Sequence, residues 1–504
     1  MQNTEHFILR EDAENDLLAC AAYLAESIQS NEGRAEAMAA VVPAYLGKGN
    51  VDLAAELANT LDDPYARDRL LCAIAEQCAA TDDEGYALQL VEAMDEPAMQ
   101  AQALEKIGTR LADLGKTDEA RSVSDSLDHR DRVLAGIAVR HHQDGLEEAA
   151  AEALAEITFP SAAVHALLTI AAASIEKGDM TSAVKALDEA AAEAEQIEHE
   201  EERIRALIDI GNSFSAAERN DRAIETLDKA REFAERLDNV HRDGFLGQTS
   251  VGLLRAGSIE LADRILDAVG DKTELASALL GFSREYWRKD EREEAMDALE
   301  EANAILRSQA DKETRDSRAR FALLGNIAVQ FAGYEQGERA IDLASDIEDE
   351  GRSMNALAQI ANILTFQKNE ELARTALAAI PEDAERAVAL IRMSDTLALA
   401  GEKDKAAGVL EEAFALAEEV PQLASRASAY AETARRFAQL DHGERSNVAF
   451  DKSLEVVAAI NDESTKVAAL AELSGVAADL ERTETDGDRE WLKKIVMQTL
   501  QQNF

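Results

Sequence analysis

Prolines, cysteines and aromatic residues are what this chain has least of: six, three, and 4% of 504 residues. Proline is shut out of helix interiors, so its scarcity leaves long stretches free to be helical. Cys20, Cys72 and Cys78 lack the spacing of a zinc site, and Cys72 and Cys78, six residues apart on one helix, lie on different faces and cannot bridge. An odd thiol count with no disulfide framework points to a reducing, cytoplasmic location. No apolar run approaches the ~20 residues of a membrane span. The opening MQNTEHFILREDAEND has no basic start and no long apolar stretch, so a signal peptide is not expected. No segment alternates polar with β-branched residues, which excludes strands and leaves an all-α class.

Basic residues are also short, 52 against 100 acids, for a net charge of −48. Such a surface repels polyphosphates and anionic lipid, so neither nucleic acid nor a membrane is an expected partner. The surplus acid reads either as a solvated outer face or as adaptation to salt. Motifs of chemistry are missing as well: no phosphate-binding loop, dinucleotide glycine fingerprint, HExxH or nucleophile elbow occurs. His141 and His142, with Asp144, form the one local histidine cluster, but adjacent residues point to different helix faces and chelate poorly. No enzyme, cofactor or metal is expected.

What is present is a period. Alanine recurs in eleven successive segments, at Ala54, Ala87, Ala120, Ala150, Ala183, Ala223, Ala262, Ala295, Ala340, Ala373 and Ala406. Thirteen residues before each stands an anchor: Val41, Ile74, Ile107, Ile137, Ile170, Ile210, Thr249, Phe282, Ile327, Ile360 and Met393, with Thr433 and Leu473 continuing the series. Most steps are 33 or about 40 residues. A period of this length marks a stack of small units, each needing its neighbours to bury its apolar face.

One unit shows the logic. In the fifth, Leu167, Ile170, Ala171 and Ser174 lie at i, i+3, i+4 and i+7, one stripe of a helix. Gly178 ends that helix, Asp179 or Thr181 caps the next, and Ala183, Leu187 and Ala190 form its stripe. The residue after the anchor is small in nearly every unit, which lets two helix backbones approach. Pro64, Pro97 and Pro160 share one offset, 23 residues after their anchors, and should sit between units. Pro43 falls inside a first helix, where a kink or a shortened helix is expected. The longer units carry about seven extra residues after the second helix, about two turns.

This pattern resembles the tetratricopeptide repeat (TPR) family, whose motif runs large, hydrophobic, small, Gly at the turn, then Ala, a large apolar residue and Ala. The eleventh unit reads Leu390, Met393, Ser394, Leu397, Gly401, Ala406, Leu410 and Ala413. The sixth reads Leu207, Ile210, Gly211, Phe214, Glu218, Ala223, Leu227 and Ala230, with Glu218 in place of the turn Gly. The resemblance implies an α-solenoid superhelix of about twelve antiparallel helix-turn-helix repeats over residues 34–463. Residues 1–33 would supply an N-terminal capping helix and 464–504 a last partial repeat and a C-terminal capping helix, with Trp491, Leu492, Ile495, Val496 and Leu500 on one face.

The family's groove-facing sites lie five and two residues before the anchor and two, five and six after it. Carried onto units four to eight they give Arg132, His142, His165, Glu176, Arg205, Asn212, Arg255, Arg284, Trp287 and Arg288. Five arginines against one acid is a local reversal of the chain's charge. Arginine suits bidentate carboxylate binding, and Trp and Arg are frequent hot spots. Arg132, Arg205, Asn212, Arg255, Arg284, Trp287 and Arg288 are therefore the candidate partner-binding residues. The competing reading pairs these arginines with acids of neighbouring helices. Gly244 and Gly247 serve either close approach of a partner or packing. The leading function is a non-enzymatic scaffold binding a protein partner, such as an acidic peptide, a chain terminus or a helix, in its groove. A self-assembling structural protein and a regulatory subunit of a separately encoded enzyme are the alternatives.

Overall fold

The structure is a computed structural model that describes residues 6–81, 83–308 and 317–502. Among the described residues every regular element is a helix and none is a strand. Two helices, Arg10–Ala13 and Leu17–Ser27, precede a series of helix pairs that runs from Asn31–Gly47 with Val51–Ala58 to Glu463–Asp479 with Asp486–Gln502. The fold is an α-solenoid of TPR-like helix pairs. The chain falls into two compact blocks, with boundaries at Ala103/Leu104 and Ile327/Ala328; the outer segments together form the first block.

The periodic residues are the core. All eleven alanines are at most 3% exposed, and the thirteen anchors at most 5%. Small residues beside the anchors are needed for clearance: a Cβ on Gly211 would stand 2.6 Å from Cγ of Leu227, and one on Gly108 2.9 Å from both Cγ atoms of Val133. Where that residue is serine it adds a tie, since Ser283 Oγ donates to the Ala295 carbonyl and Ser394 Oγ to that of Ala406, at 2.7 and 2.9 Å.

Helix boundaries follow local chemistry. Pro64, Pro97 and Pro160 are each the first residue of a helix, where a missing N–H costs nothing. Helix Asn31–Gly47 runs through Pro43 at the seventeen residues of most of its equivalents, so the expected shortening does not occur. Second helices have eight or nine residues in the short repeats, as in Ile259–Leu266 and Glu370–Ala378, and fifteen in long ones such as Met180–Ala194 and Asn220–Ala234. Part of the extension of repeat eight lies outside the described residues.

A second periodic device ties the linkers. Seven residues before the anchor, Arg34, Gln100, Arg203, Arg386 and Arg426 each donate to a main-chain carbonyl six residues upstream. In repeats two, four and seven the next position is aspartate. Asp68, Asp131 and Asp243 each accept two consecutive N–H groups of the following linker, at 2.6–2.9 Å.

The two ends of the chain meet within the first block. Helix Leu17–Ser27 packs on Glu463–Asp479 and touches Asp486–Gln502, and Asn31–Gly47 also lies on Glu463–Asp479. Ten of the eleven residues of Leu17–Ser27 are buried. Leu492, Ile495 and Val496 are fully buried; the side chain of Leu500 lies outside the described residues.

Candidate functional site

Within the second block, successive first helices pack side by side: Asp131–Gln143 on Pro160–Glu176, then Glu200–Ala216, Arg242–Arg255 and Lys272–Arg288. The second helices touch chiefly their own partner and the next first helix. The first helices thus form a continuous face. On it, over repeats six to eight, lies a cleft of about 240 Å³ lined by Asp209, Asn212, Gln248, Arg255, Glu274 and Ser277 among others. A second hollow, of about 470 Å³, shares Asn212 and Arg255 and adds Ser215, Glu218, Glu285 and Arg288.

The shared wall is a network of ions. Glu285 is 6% exposed and lies between two arginines. Arg255 Nε donates to its Oε1 at 2.8 Å, and Arg288 donates to its Oε2 through Nε and Nη2 at 3.0 and 2.8 Å. Arg255 Nη1 also donates to Asn212 Oδ1 at 3.1 Å, and Lys289 Nζ donates to the Leu254 carbonyl at 2.7 Å. A buried carboxylate is tolerable here because both its oxygens take charge-assisted bonds.

The structure thus brings together Asn212, Arg255 and Arg288. Arg132 lies elsewhere on the face and is paired with Glu105 of the preceding first helix at 3.0 Å. Arg205 is exposed beside the cleft, its guanidinium 6.0 Å from the Phe245 ring. Arg284 is exposed and does not line either hollow. Trp287 is half-buried, and Arg292, the first residue of the next helix, stacks over its ring at 3.6 Å. Gly247 serves packing, since a Cβ there would stand 3.3 Å from that of Ala278.

Sequence reasoning missed Glu285, Asp209 and Ser215. Glu285 lies three residues before Arg288, a spacing at which opposite charges meet on one helix, and that signal was available. Asp209 precedes an anchor by one residue and carried no signal. Both lie off the groove offsets used.

One further constellation has the outline of a triad. Glu147 Oε1 is 3.0 Å from His142 Nδ1, and His142 Nε2 is 3.0 Å from Ser174 Oγ. Ser174, however, is 1% exposed, and its hydroxyl donates to the Ile170 carbonyl at 2.9 Å, so no substrate reaches it. Cys20, Cys72 and Cys78 are free thiols, all buried. Among the described residues no group of three His, Cys, Asp or Glu is placed to hold a metal ion, and no helix is long and apolar enough to cross a membrane.

No protein-family model matches the chain, and no curated protein does. Solved structures of helical-repeat proteins do match. The quorum sensor NprR from B. thuringiensis, in its apo form, aligns at 15% identity over 67% of this chain and 99% of its own, with a TM-score of 0.26. A signal-transduction ATPase with a tetratricopeptide repeat sensor, from Pyrococcus horikoshii, aligns at 14% over 71% and 63%, TM-score 0.25. The Naa15/Naa10 complex bound to HypK-THB aligns at 14% over 92% and 79%, TM-score 0.32.

Proposed function

We propose that this chain is a non-enzymatic protein-interaction scaffold, and that the first-helix face of repeats six to eight receives a segment of a partner protein. The observation that carries this reading is the cleft itself. It is built on three helices: Asn212 and Arg255 line both it and the adjoining hollow, and Arg288 lines the hollow alone, with the buried Glu285 carboxylate between the two cations. Rigid placement of a few polar groups in a concavity is what ligand recognition requires. Arg205, beside Asp209, stands at the cleft's rim, whereas Arg284 and Trp287 line neither hollow. Arg132, already held by Glu105, is the least engaged of the seven candidates.

The test begins with capture of the partner from the native extract. Asn212→Ala, Arg255→Ala and Arg288→Ala, each first checked for native helicity, should weaken binding by roughly 1 kcal/mol or more if they are hot spots. On the second helices, Asp188 is paired with Arg222 at 2.6 Å and Glu225 with the same arginine at 3.6 Å. Asp188→Asn and Glu225→Gln should leave binding unchanged, because exposed pairs contribute little. The opposite pattern, cleft variants binding like the parent while these fail, would place the site on the second-helix face.

A further inference from the structure

We propose that helix Leu17–Ser27 is the second helix of the thirteenth repeat, held in a slot between Glu463–Asp479 and Asn31–Gly47, so that one repeat is assembled from distant parts of the sequence. The slot is an interaction surface, and its occupant is this chain's own N-terminal helix. The inference is independent of the cleft and lies wholly within the first block.

The rhythm of the sequence supplies the first observation. The step of 33 residues that separates Ala54 from Ala87 also leads back from Ala54 to Ala21. Ala21, Leu24, Ala25 and Ile28 then stand in register with Ala54, Leu57, Ala58 and Leu61 of the first repeat. All eight are at most 5% exposed. Leu17–Ser27 thus carries the stripe of a second helix. The thirteenth repeat lacks that alanine where it is due: thirteen residues after Leu473 stands Asp486, which is exposed.

Contacts supply the second. A second helix packs on its own first helix and on the next, as Met180–Ala194 does on Pro160–Glu176 and Glu200–Ala216. Leu17–Ser27 packs in the same way on Glu463–Asp479 and Asn31–Gly47. Those two first helices also touch each other. The row of first helices in this block therefore runs from Leu423–Gln439 through Glu463–Asp479 to Asn31–Gly47 and Pro64–Ala80. Helix Asp486–Gln502 lies instead on two second helices, Gly443–Ala459 and Leu17–Ser27. The junction that follows Leu17–Ser27 is also that of an ordinary repeat. Arg34 donates through Nε and Nη2 to the Ile28 carbonyl at 3.0 and 2.9 Å, as Arg203 does to that of Ile197 between repeats five and six.

Slot and helix need each other. Leu17–Ser27 has one charged residue, Glu26, and ten of its eleven residues are buried. A helix of this length is marginal alone in water, and an end repeat without its neighbour exposes an apolar face. Docking answers both. The segment also carries its own ties: Asp16 caps the helix by accepting the Ala19 N–H at 2.6 Å, and Glu26 accepts the N–H groups of Phe7 and Ile8.

The experiment uses the full chain, its variants L24D and A21L, and a fluorescein-labelled peptide of residues 6–29. Amide hydrogen exchange is followed in all three proteins, each checked for native helicity. A charge at the buried Leu24 position should undock the helix. Exchange should then quicken roughly tenfold or more in Leu17–Ser27, Asn31–Gly47 and Glu463–Asp479 together, and keep the parent rate in Glu200–Ala216. A21L overpacks the same contact and should quicken the same three helices, which keeps the test open if L24D does not fold. By anisotropy the peptide should bind L24D, and it should slow exchange in Glu463–Asp479 again; a peptide carrying the L24D change should do neither. The parent should bind the peptide about tenfold more weakly or less, because its tethered helix competes at high effective concentration. If the variants quicken exchange in Asn31–Gly47 while Glu463–Asp479 keeps the parent rate, the helix is a cap on the first repeat and the assignment is overturned. Equal binding of the peptide to parent and L24D overturns it too, since the peptide then binds outside the slot.

Discussion

Among the described residues, the one eight positions after an anchor carries the turn, and there chemistry and geometry do not always agree. Its backbone is left-handed at Gly178 (φ 77°) and Gly401 (φ 80°), but also at Glu218 (59°), Asp290 (65°), Glu335 (63°), Lys368 (62°), Asp441 (66°) and Glu481 (49°). The turn is therefore imposed by the two helices it joins and not by glycine, which explains why Glu218 can stand in a glycine's place. A side chain in this region costs ~1–2 kcal/mol, partly offset because glycine loses more freedom on folding. Lys368→Gly should accordingly raise stability by about 0.5–1 kcal/mol, and Gly178→Ala should lower it by about 1 kcal/mol. Paired thermal melts of the two variants against the parent check this; equal shifts of the same sign would mean that the turn conformation does not limit stability.

At the scale of the helix, contacts are set by two kinds of residue, and only one was legible in the sequence. The anchors and alanines were, because a 33-residue rhythm of buried small and large side chains has no other use. Ala223→Leu forces a larger side chain against Gly211 and Leu227 and should cost ~1–3 kcal/mol. The linker ties were less legible, since an arginine seven residues before an anchor looks like any surface arginine until its carbonyl partner is seen. Asp131 tests their importance. Its carboxylate accepts the N–H groups of Thr158 and Phe159, and the residue is 7% exposed. Asp131→Ala leaves two amides without an acceptor and should cost about 2 kcal/mol or more. Hydrogen exchange should show faster opening of the linker around Thr158 in this variant than elsewhere; uniform exchange would show that the tie is incidental. The cleft was half legible. Its arginines followed from the repeat offsets, but their partner Glu285 lies at another offset and turns a basic patch into a mixed one.

For the whole molecule, the sequence suggested caps at either end, and the structure shows those ends lying on each other within one block. Helix Leu17–Ser27 is covered by Glu463–Asp479, so the surface that end-to-end stacking of copies would use is occupied by the chain itself. The charge balance then decides how stability responds to salt. Ion pairs do cross between repeats on the second helices, as from Arg222 to Asp188, Lys229 to Glu195 and Arg374 to Glu412. Such exposed pairs contribute at most ~1 kcal/mol each, and salt weakens them. Against them stands a net charge of −48, whose self-repulsion opposes folding and is screened over ~10 Å at 0.1 M and ~3 Å at 1 M ionic strength. With 100 acids against 52 bases, 48 negative charges stay uncompensated however the pairs are made, so repulsion among them outweighs the attraction lost from the pairs. Melting temperature should therefore rise as sodium chloride increases from 0.05 M towards 1 M. Potassium chloride should act alike, because screening depends on ionic strength and not on the cation. A melting temperature that falls over this range would show that the inter-repeat ion pairs dominate and that the acid surplus is well solvated even at low salt.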